Sequence, residues 1–150
     1  MKDITNSMKI TIPAYSRNEG LARMCATAFA SQLDPTIEEI NDIKAAVSEA
    51  VTNCIVHAYK DKIGDIQMEL RIVGSDTLYI RIKDKGCGIP DVKKAMEPLF
   101  TTSPETERSG LGFSVMESFM DKLKVKSSEG KGTTVTMTKR LVTRNEQTDR

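Results

Sequence analysis

One stretch, Ile43 to Tyr59 (IKAAVSEAVTNCIVHAY), constrains this chain more than any other. Ile43, Val47, Ala50, Val51, Cys54, Ile55 and Ala58 recur at three- and four-residue steps, the period of a helix with one buried face. Glu49 and Asn53 interrupt that face. At about 100° per residue they lie roughly 40° apart on successive turns and point into the same space. An acid and an amide at the edge of an apolar face suit chemistry, though two polar border positions on an ordinary helix would read the same way.

The rest of the chain must supply a core for that helix. Its 150 residues predict one domain, spanning 1–142, followed by a polar tail at 143–150 that is expected to be frayed. Basic and acidic residues nearly cancel, 22 against 21, so no global basic field points to nucleic acid. The sequence shows no apolar run long enough to span a membrane and no signal-like N-terminus, which predicts a cytoplasmic protein. Cys25, Cys54 and Cys87 show no CxxC spacing and no zinc pattern. Cys25 and Cys54 fall on apolar helix faces, and Cys87 reads as a tolerated loop side chain.

Met8, Ile10 and Ile12 alternate with polar residues and predict a first strand that Pro13 stops. Ser16 and Glu19 suggest a capping box, opening a helix whose apolar stripe is Leu21, Met24, Cys25, Ala28 and Phe29, with Arg17 and Arg23 outside. Asp34-Pro35 suggests the N-cap and first position of the long helix, which then runs to about Tyr59. A polar turn containing Gly64 leads to Ile66–Ile72 and Leu78–Ile82, which predict an antiparallel hairpin. A short helical piece from Asp91 to Met96 follows. Beyond the polar run Thr101–Ser109 comes a helix with Phe113, Met116, Phe119 and Met120 on one side, and then a closing hairpin. The order of elements predicts an α+β two-layer sandwich with helices on one face of an antiparallel or mixed sheet.

Three loops carry the remaining signal. In DKGCGIP, Asp84 ends a strand, and Gly86 and Gly88 allow positive φ and close approach of a ligand. A carboxylate there can accept a hydrogen bond from the exocyclic amine of a base. In ERSGLGF, glycines enter a helix whose free N–H groups suit an anion. In GKGTT, a tight turn leads into a strand where Thr133 or Thr134 can face a pocket. Each alone also reads as ordinary turn chemistry.

Together, E-x-x-x-N on a helix, D-x-G-x-G after a strand, G-x-G opening a helix and G-x-G-T before a strand resemble the GHKL ATP-binding family of histidine kinases, gyrase B subunits, chaperones and mismatch-repair ATPases. Neither a Walker phosphate loop nor the protein-kinase signature set is present. LDPT, SEAVTN, PLFTT, PETERSGLGF and SFMD are similar, within that family, to the serine-kinase anti-sigma F factors of sporulation.

The resemblance implies ATP or ADP as the nucleotide and Mg²⁺ as its ion, held by Asn53, with Glu49 as the general base toward a serine hydroxyl. It implies that Asp84 binds the adenine amine with support from Thr133, and that Gly86, Gly88 and Ile89 admit and contact the purine. Arg108, Ser109, Gly110, Leu111 and Gly112 would hold phosphates, beneath a lid spanning about 91–108. Implied partners are sigma F, an anti-anti-sigma factor phosphorylated on serine, and a second copy of the chain through the first strand and helix. Arg23, Glu107 and Arg108 are the implied contacts. A stress-response anti-sigma kinase, a detached histidine-kinase domain and an ATP-gated sequestering module stay open. His57, the one histidine, reads as a neighbour of the site rather than a phosphoacceptor.

Overall fold

The computed structural model describes residues 3–60, 62–97 and 112–142. Strands β1 (Ile4–Pro13), β2 (Asp65–Val73), β3 (Thr77–Asp84), β4 (Lys122–Ser128) and β5 (Gly132–Arg140) form one antiparallel sheet in the order β1-β2-β3-β5-β4. Helices α1 (Asn18–Ala30), α2 (Ile37–Thr52), α3 (Val92–Ala95) and α4 (Phe113–Phe119) complete the α+β sandwich. Alternation along the strands decides which face they cover. Ile66, Met68, Leu70, Leu78, Ile80, Ile82, Val135 and Met137 are buried beneath the helices, against Ile43, Val47, Ala50 and Val51 of α2.

The register sets the site. Because β5 lies between β3 and β4, Asp84 stands opposite Thr133, and Thr133 stands opposite Ser127. All three continue the inward-facing phase of their strands, so residues distant in sequence meet at one end of the sheet.

Four local expectations are corrected. The helix stripe is rotated: Ala22, Ala26, Phe29 and Ala30 are buried, whereas Leu21 is 48% and Met24 61% exposed. Small residues let α1 approach α2 closely, and larger apolar side chains are turned outward. Ser16 and Glu19 form no capping box. Arg17 occupies the N-cap without a side-chain bond, and the Glu19 carboxylate accepts from Arg23 at 2.9 Å and from the Ser48 hydroxyl at 2.7 Å.

The N-cap of α2 is Thr36, not Asp34. Thr36 Oγ1 accepts from Glu39 N–H at 3.1 Å and Glu39 Oε1 accepts from Thr36 N–H at 2.9 Å, a closed capping box. Asp34 instead ends the short turn Ser31–Leu33 with φ +52°. Finally, α2 ends at Thr52 and continues as a wider π-helical turn, Asn53–Ala58. Such turns are frequent at functional sites.

Candidate nucleotide site

The pocket sits where the end of that π turn meets the end of β3. Ala50, Cys54 and Ala58 form one apolar wall, Ile82 and Val135 the floor, and Ile89 and Phe113 the flanks. Asn53, His57, Asp84 and Thr133 supply its polar groups, and Gly88 its rim.

Asp84 is the residue most out of place by polarity, a carboxylate only 5% exposed. Its Oδ1 accepts backbone N–H groups from Gly86 at 2.9 Å and Thr133 at 3.2 Å. Oδ2 lies 3.6 Å from the Cys54 thiol, whose one proton is shared with the Ala50 carbonyl at 3.5 Å. A thiol is a weak donor, so this oxygen lies in an apolar slot with hydrogen-bonding capacity to spare. Burial raises the pKa of Asp84, while the Gly86 N–H, the Cys54 thiol and the Thr133 N–H pull it down. Burial, and then the Asp84 charge, push the Cys54 thiol well up, so it stays protonated and donating. A ligand N–H donor entering the slot would meet a prepared acceptor; the exocyclic amine of a purine has that chemistry.

The loop from Lys85 to Ile89 is clamped between the helix end and the β4–β5 turn. Cys87 N–H donates to the Ala58 carbonyl at 3.0 Å, the Cys87 thiol donates to the His57 carbonyl at 3.1 Å, and Gly130 N–H donates to the Cys87 carbonyl at 2.6 Å. Lys85 N–H donates to Tyr59 Oη at 2.7 Å, and Tyr59 O–H donates to the Asp65 carbonyl at 2.8 Å. The two glycines serve different ends. Gly86 has no positive φ; a Cβ there would run into the Ala58 carbonyl and side chain. Gly88 does adopt φ +76°, and a Cβ there would strike the Ser128 carbonyl.

Ser127 joins the loop to β5. Its Oγ accepts from Ile89 N–H at 2.7 Å and lies 3.0 Å from the Gly132 carbonyl and 2.8 Å from Thr133 Oγ1. No motif marks this residue. The signal that finds it is strand phase, since Leu123 and Val125 put Ser127 on the inner face of β4.

Glu49 lies outside the apolar slot, on the α2 turn before Asn53. It is partly buried, and burial raises its pKa. Gly112, at φ +67°, is the N-cap of α4 and lies so close that a Cβ there would come within 2.8 Å of the Glu49 Cδ. The carboxylate thus stands at the mouth of the site against the backbone that leads into α4. Asn53 and Glu49 are hard oxygen donors one turn apart. Among the described residues no group of three or more His, Cys, Asp or Glu is arranged to hold a metal. A cation here would be held by few protein ligands together with phosphate and water, which suits Mg²⁺.

Asn53, Asp84, Gly88, Ile89 and Thr133 are brought together at the pocket, Gly86 packs behind it, and Glu49 and Gly112 meet at its mouth. Thr134, left open beside Thr133, stands in the opposite strand phase. His57 lines the pocket, and burial, followed by the Lys60 charge, lowers its pKa. Arg23 is on α1, paired to Glu19, away from the slot. Glu107, Arg108, Ser109, Gly110 and Leu111, and most of the expected lid, lie outside the described residues.

Comparison with known proteins agrees with this geometry. Residues 12–139 match the family model of the histidine kinase-like ATPase domain. The chain is 56% identical over 137 residues to the anti-sigma F factor of Thermoanaerobacter sp. (strain X514), covering 91% of this chain and 95% of that protein. It is 50% identical over 138 residues to the anti-sigma F factor of Clostridium acetobutylicum, covering 92% and 96%. Among solved structures, the RsbU and RsbW domains of Rv1364c from Mycobacterium tuberculosis superpose with a TM-score of 0.68 at 21% identity, covering 91% of this chain and 33% of that one. The catalytic domain of the histidine kinase ThkA gives 0.57 at 15% identity, covering 91% and 97%, a likeness of fold. The chain therefore belongs to the histidine kinase-like ATPase family and, within it, to the anti-sigma F factors.

Proposed function

We propose that this protein is an ATP-dependent serine protein kinase that also sequesters a sigma factor. In this reading it holds the sporulation sigma F inactive with ATP bound and transfers the terminal phosphate to a serine of an anti-anti-sigma factor, which that modification inactivates. The observation that carries the nucleotide half is Asp84, whose buried Oδ2 faces an apolar slot with only a thiol supplied as donor. The relatives named anti-sigma F factors support the sequestering half.

Each residue has a stated part. Asp84 accepts the adenine amine, and Thr133, tied to it through its N–H, fixes the carboxylate. Gly88 and Ile89 flank the purine, and Gly86 seats their loop on the helix end. Asn53 supplies an amide oxygen to Mg²⁺, which offsets phosphate charge when bound. Glu49 takes the proton from the incoming serine hydroxyl, and its raised pKa makes it a better base. Arg108 and the segment 109–112 hold phosphates, beneath a lid spanning about 91–108. Proton removal of this kind is worth about 10²–10⁴-fold in rate, the remainder coming from charge stabilisation and positioning.

Arg23, Glu107 and Arg108 contact the protein partners. Two copies associate through α1 and β1, a reading supported by exposed Leu21 and Met24 on α1 and by exposed Ile4 on β1, the end strand of the sheet. No helix among the described residues is long and apolar enough to cross a membrane, and we place the protein in the cytoplasm.

The test is transfer of labelled phosphate from Mg-ATP to a candidate anti-anti-sigma protein, comparing the native chain with Glu49→Gln. Acid-stable label on serine, lost in the variant while ATP still binds, is the expected result. Acid-labile label would indicate a histidine kinase. Absence of label despite confirmed binding of both ATP and antagonist would leave an ATP-gated sequestering protein.

A further inference from the structure

We propose that the sheet face turned away from the helices is a docking surface for an acidic segment of a partner protein. Strand register lays its side chains out as a grid. The middle row runs Lys124, Thr136, Arg81, Glu69, Lys9 across β4, β5, β3, β2 and β1. A second row runs Lys126, Thr134, Lys83, Gln67, Thr11, and a third Lys122, Thr138, Tyr79, Arg71, Ser7. The alternate positions on each strand point into the core, so none of these fifteen side chains does. Seven cations and one acid occupy these three rows, in a chain with only one more basic than acidic residue.

The charge is largely uncompensated. Glu69 is shared between Arg71 at 2.9 Å and Arg81 at 3.2 Å. The five lysines make no ion pair with any described residue. At one end the face runs into a recess, where Lys83 and Gln67 are joined by Lys62, Lys85 and Tyr59, with Asp65 the one acid among the lining residues. A concave cationic recess continuous with a cationic plane gives an incoming carboxylate a point of entry.

Chemistry selects the occupant. A second copy presenting the same face would set lysines against lysines. An anionic membrane is a poor match, because the grid carries no aliphatic side chain to insert. Single-stranded nucleic acid binds by stacking on aromatic rings, and the one aromatic on the grid, Tyr79, is already covered by the Arg71 guanidinium at 4.9 Å. Both arginines, the side chains best suited to bidentate phosphate contacts, are engaged by Glu69. What remains is a row of exposed ammonium groups on Lys122, Lys124 and Lys126, spaced at about 6.8 Å along β4. An extended acidic segment with carboxylates at alternate positions repeats that spacing. Threonine hydroxyls between the cation columns can bond to its backbone.

The surface is independent of the nucleotide pocket, which lies on the other side of the sheet, so its test is separable from the kinase reading. A fluorescent peptide of alternating Glu and Thr, and DNA oligonucleotides, single-stranded and duplex, would be titrated with the native protein and with the triple variant Lys83→Gln, Lys124→Gln, Lys126→Gln. The expected result is peptide binding that weakens steeply with salt and falls by about tenfold or more in the variant. ADP binding and thermal midpoint should stay unchanged. Should the triple variant misfold, the single substitutions should each weaken the peptide by about twofold to threefold. Absence of peptide binding at low salt, binding indifferent to the substitutions, or DNA bound more tightly than the peptide through the same lysines would each overturn the proposal.

Discussion

The Cys54 thiol lies 3.6 Å from Asp84 Oδ2 within the apolar wall of the pocket, its one proton shared between that oxygen and the Ala50 carbonyl at 3.5 Å. A weak donor there tempers the cost of a buried carboxylate without saturating the oxygen that would accept the proposed purine amine. Cys54→Ser replaces it with a strong donor of similar size, and the unliganded protein then satisfies Asp84 by itself. Nucleotide affinity is expected to fall by about fivefold to tenfold, the equivalent of roughly 1 kcal/mol of hydrogen-bond competition. Cys54→Ala, which offers no competing donor, should hold affinity within about threefold. Calorimetric titration with ADP separates the two; equal losses in both variants would remove the competition argument.

Glu49 links the site to pH. Its folded-state pKa is raised by burial above the ordinary 4.5. The protonated form is therefore the better tolerated one, and the stability that Glu49 contributes is fully present below the unfolded value and lost as pH rises through the raised folded value. Relative to Glu49→Gln, the native chain should thus lose thermal stability between acid and neutral pH. The variant should be slightly the more stable at neutrality, and the difference should close as pH falls below the ordinary carboxylate range. Melting curves across that window check the sign.

Gly112 bears on the same carboxylate. Gly112→Ala must hold an alanine at φ +67° and drive its Cβ into Glu49. A left-handed alanine costs about 1–2 kcal/mol by itself. Urea unfolding should show at least that loss. Phosphate transfer should fall further than ATP affinity, because the displaced group is the proposed base rather than a purine contact.

Association of copies is tested on α1. Met24→Glu places a charge on a side chain 61% exposed in the monomer, where folding stability should change by less than about 0.5 kcal/mol. Sedimentation should nevertheless shift toward the monomer. A variant that sediments like the native chain would move the contact elsewhere.

Parts of the site were legible in the sequence because they depend on local period. The helical repeat from Ile43 placed Glu49 and Asn53 on adjoining turns, and the alternating run through Ile80 and Ile82 placed Asp84 at a strand end. The phase of α1 was not legible, because hydrophobicity favours Leu21 and Met24 while close packing against α2 selects Ala22, Ala26 and Ala30. The start of α2 was misplaced for a related reason. Asp34-Pro35 and Thr36-Glu39 are both sound initiation signals, and only the backbone at Asp34, turned to φ +52°, settles between them.

The sequence by itself determined which elements form, the two-layer class and the identity of the polar residues that interrupt apolar faces, since those follow from period and glycine placement. The tertiary structure decided what no local rule contains. Insertion of β5 between β3 and β4 sets Thr133 and Ser127 beside Asp84. The clamp of Cys87 on the helix end turns a loop into the rim of a pocket. The sheet gathers cations from four of its five strands onto one face, although the chain as a whole is nearly neutral. Register is a long-range property: it is fixed by which strands pair and which face is buried, and net charge along a chain carries no record of it.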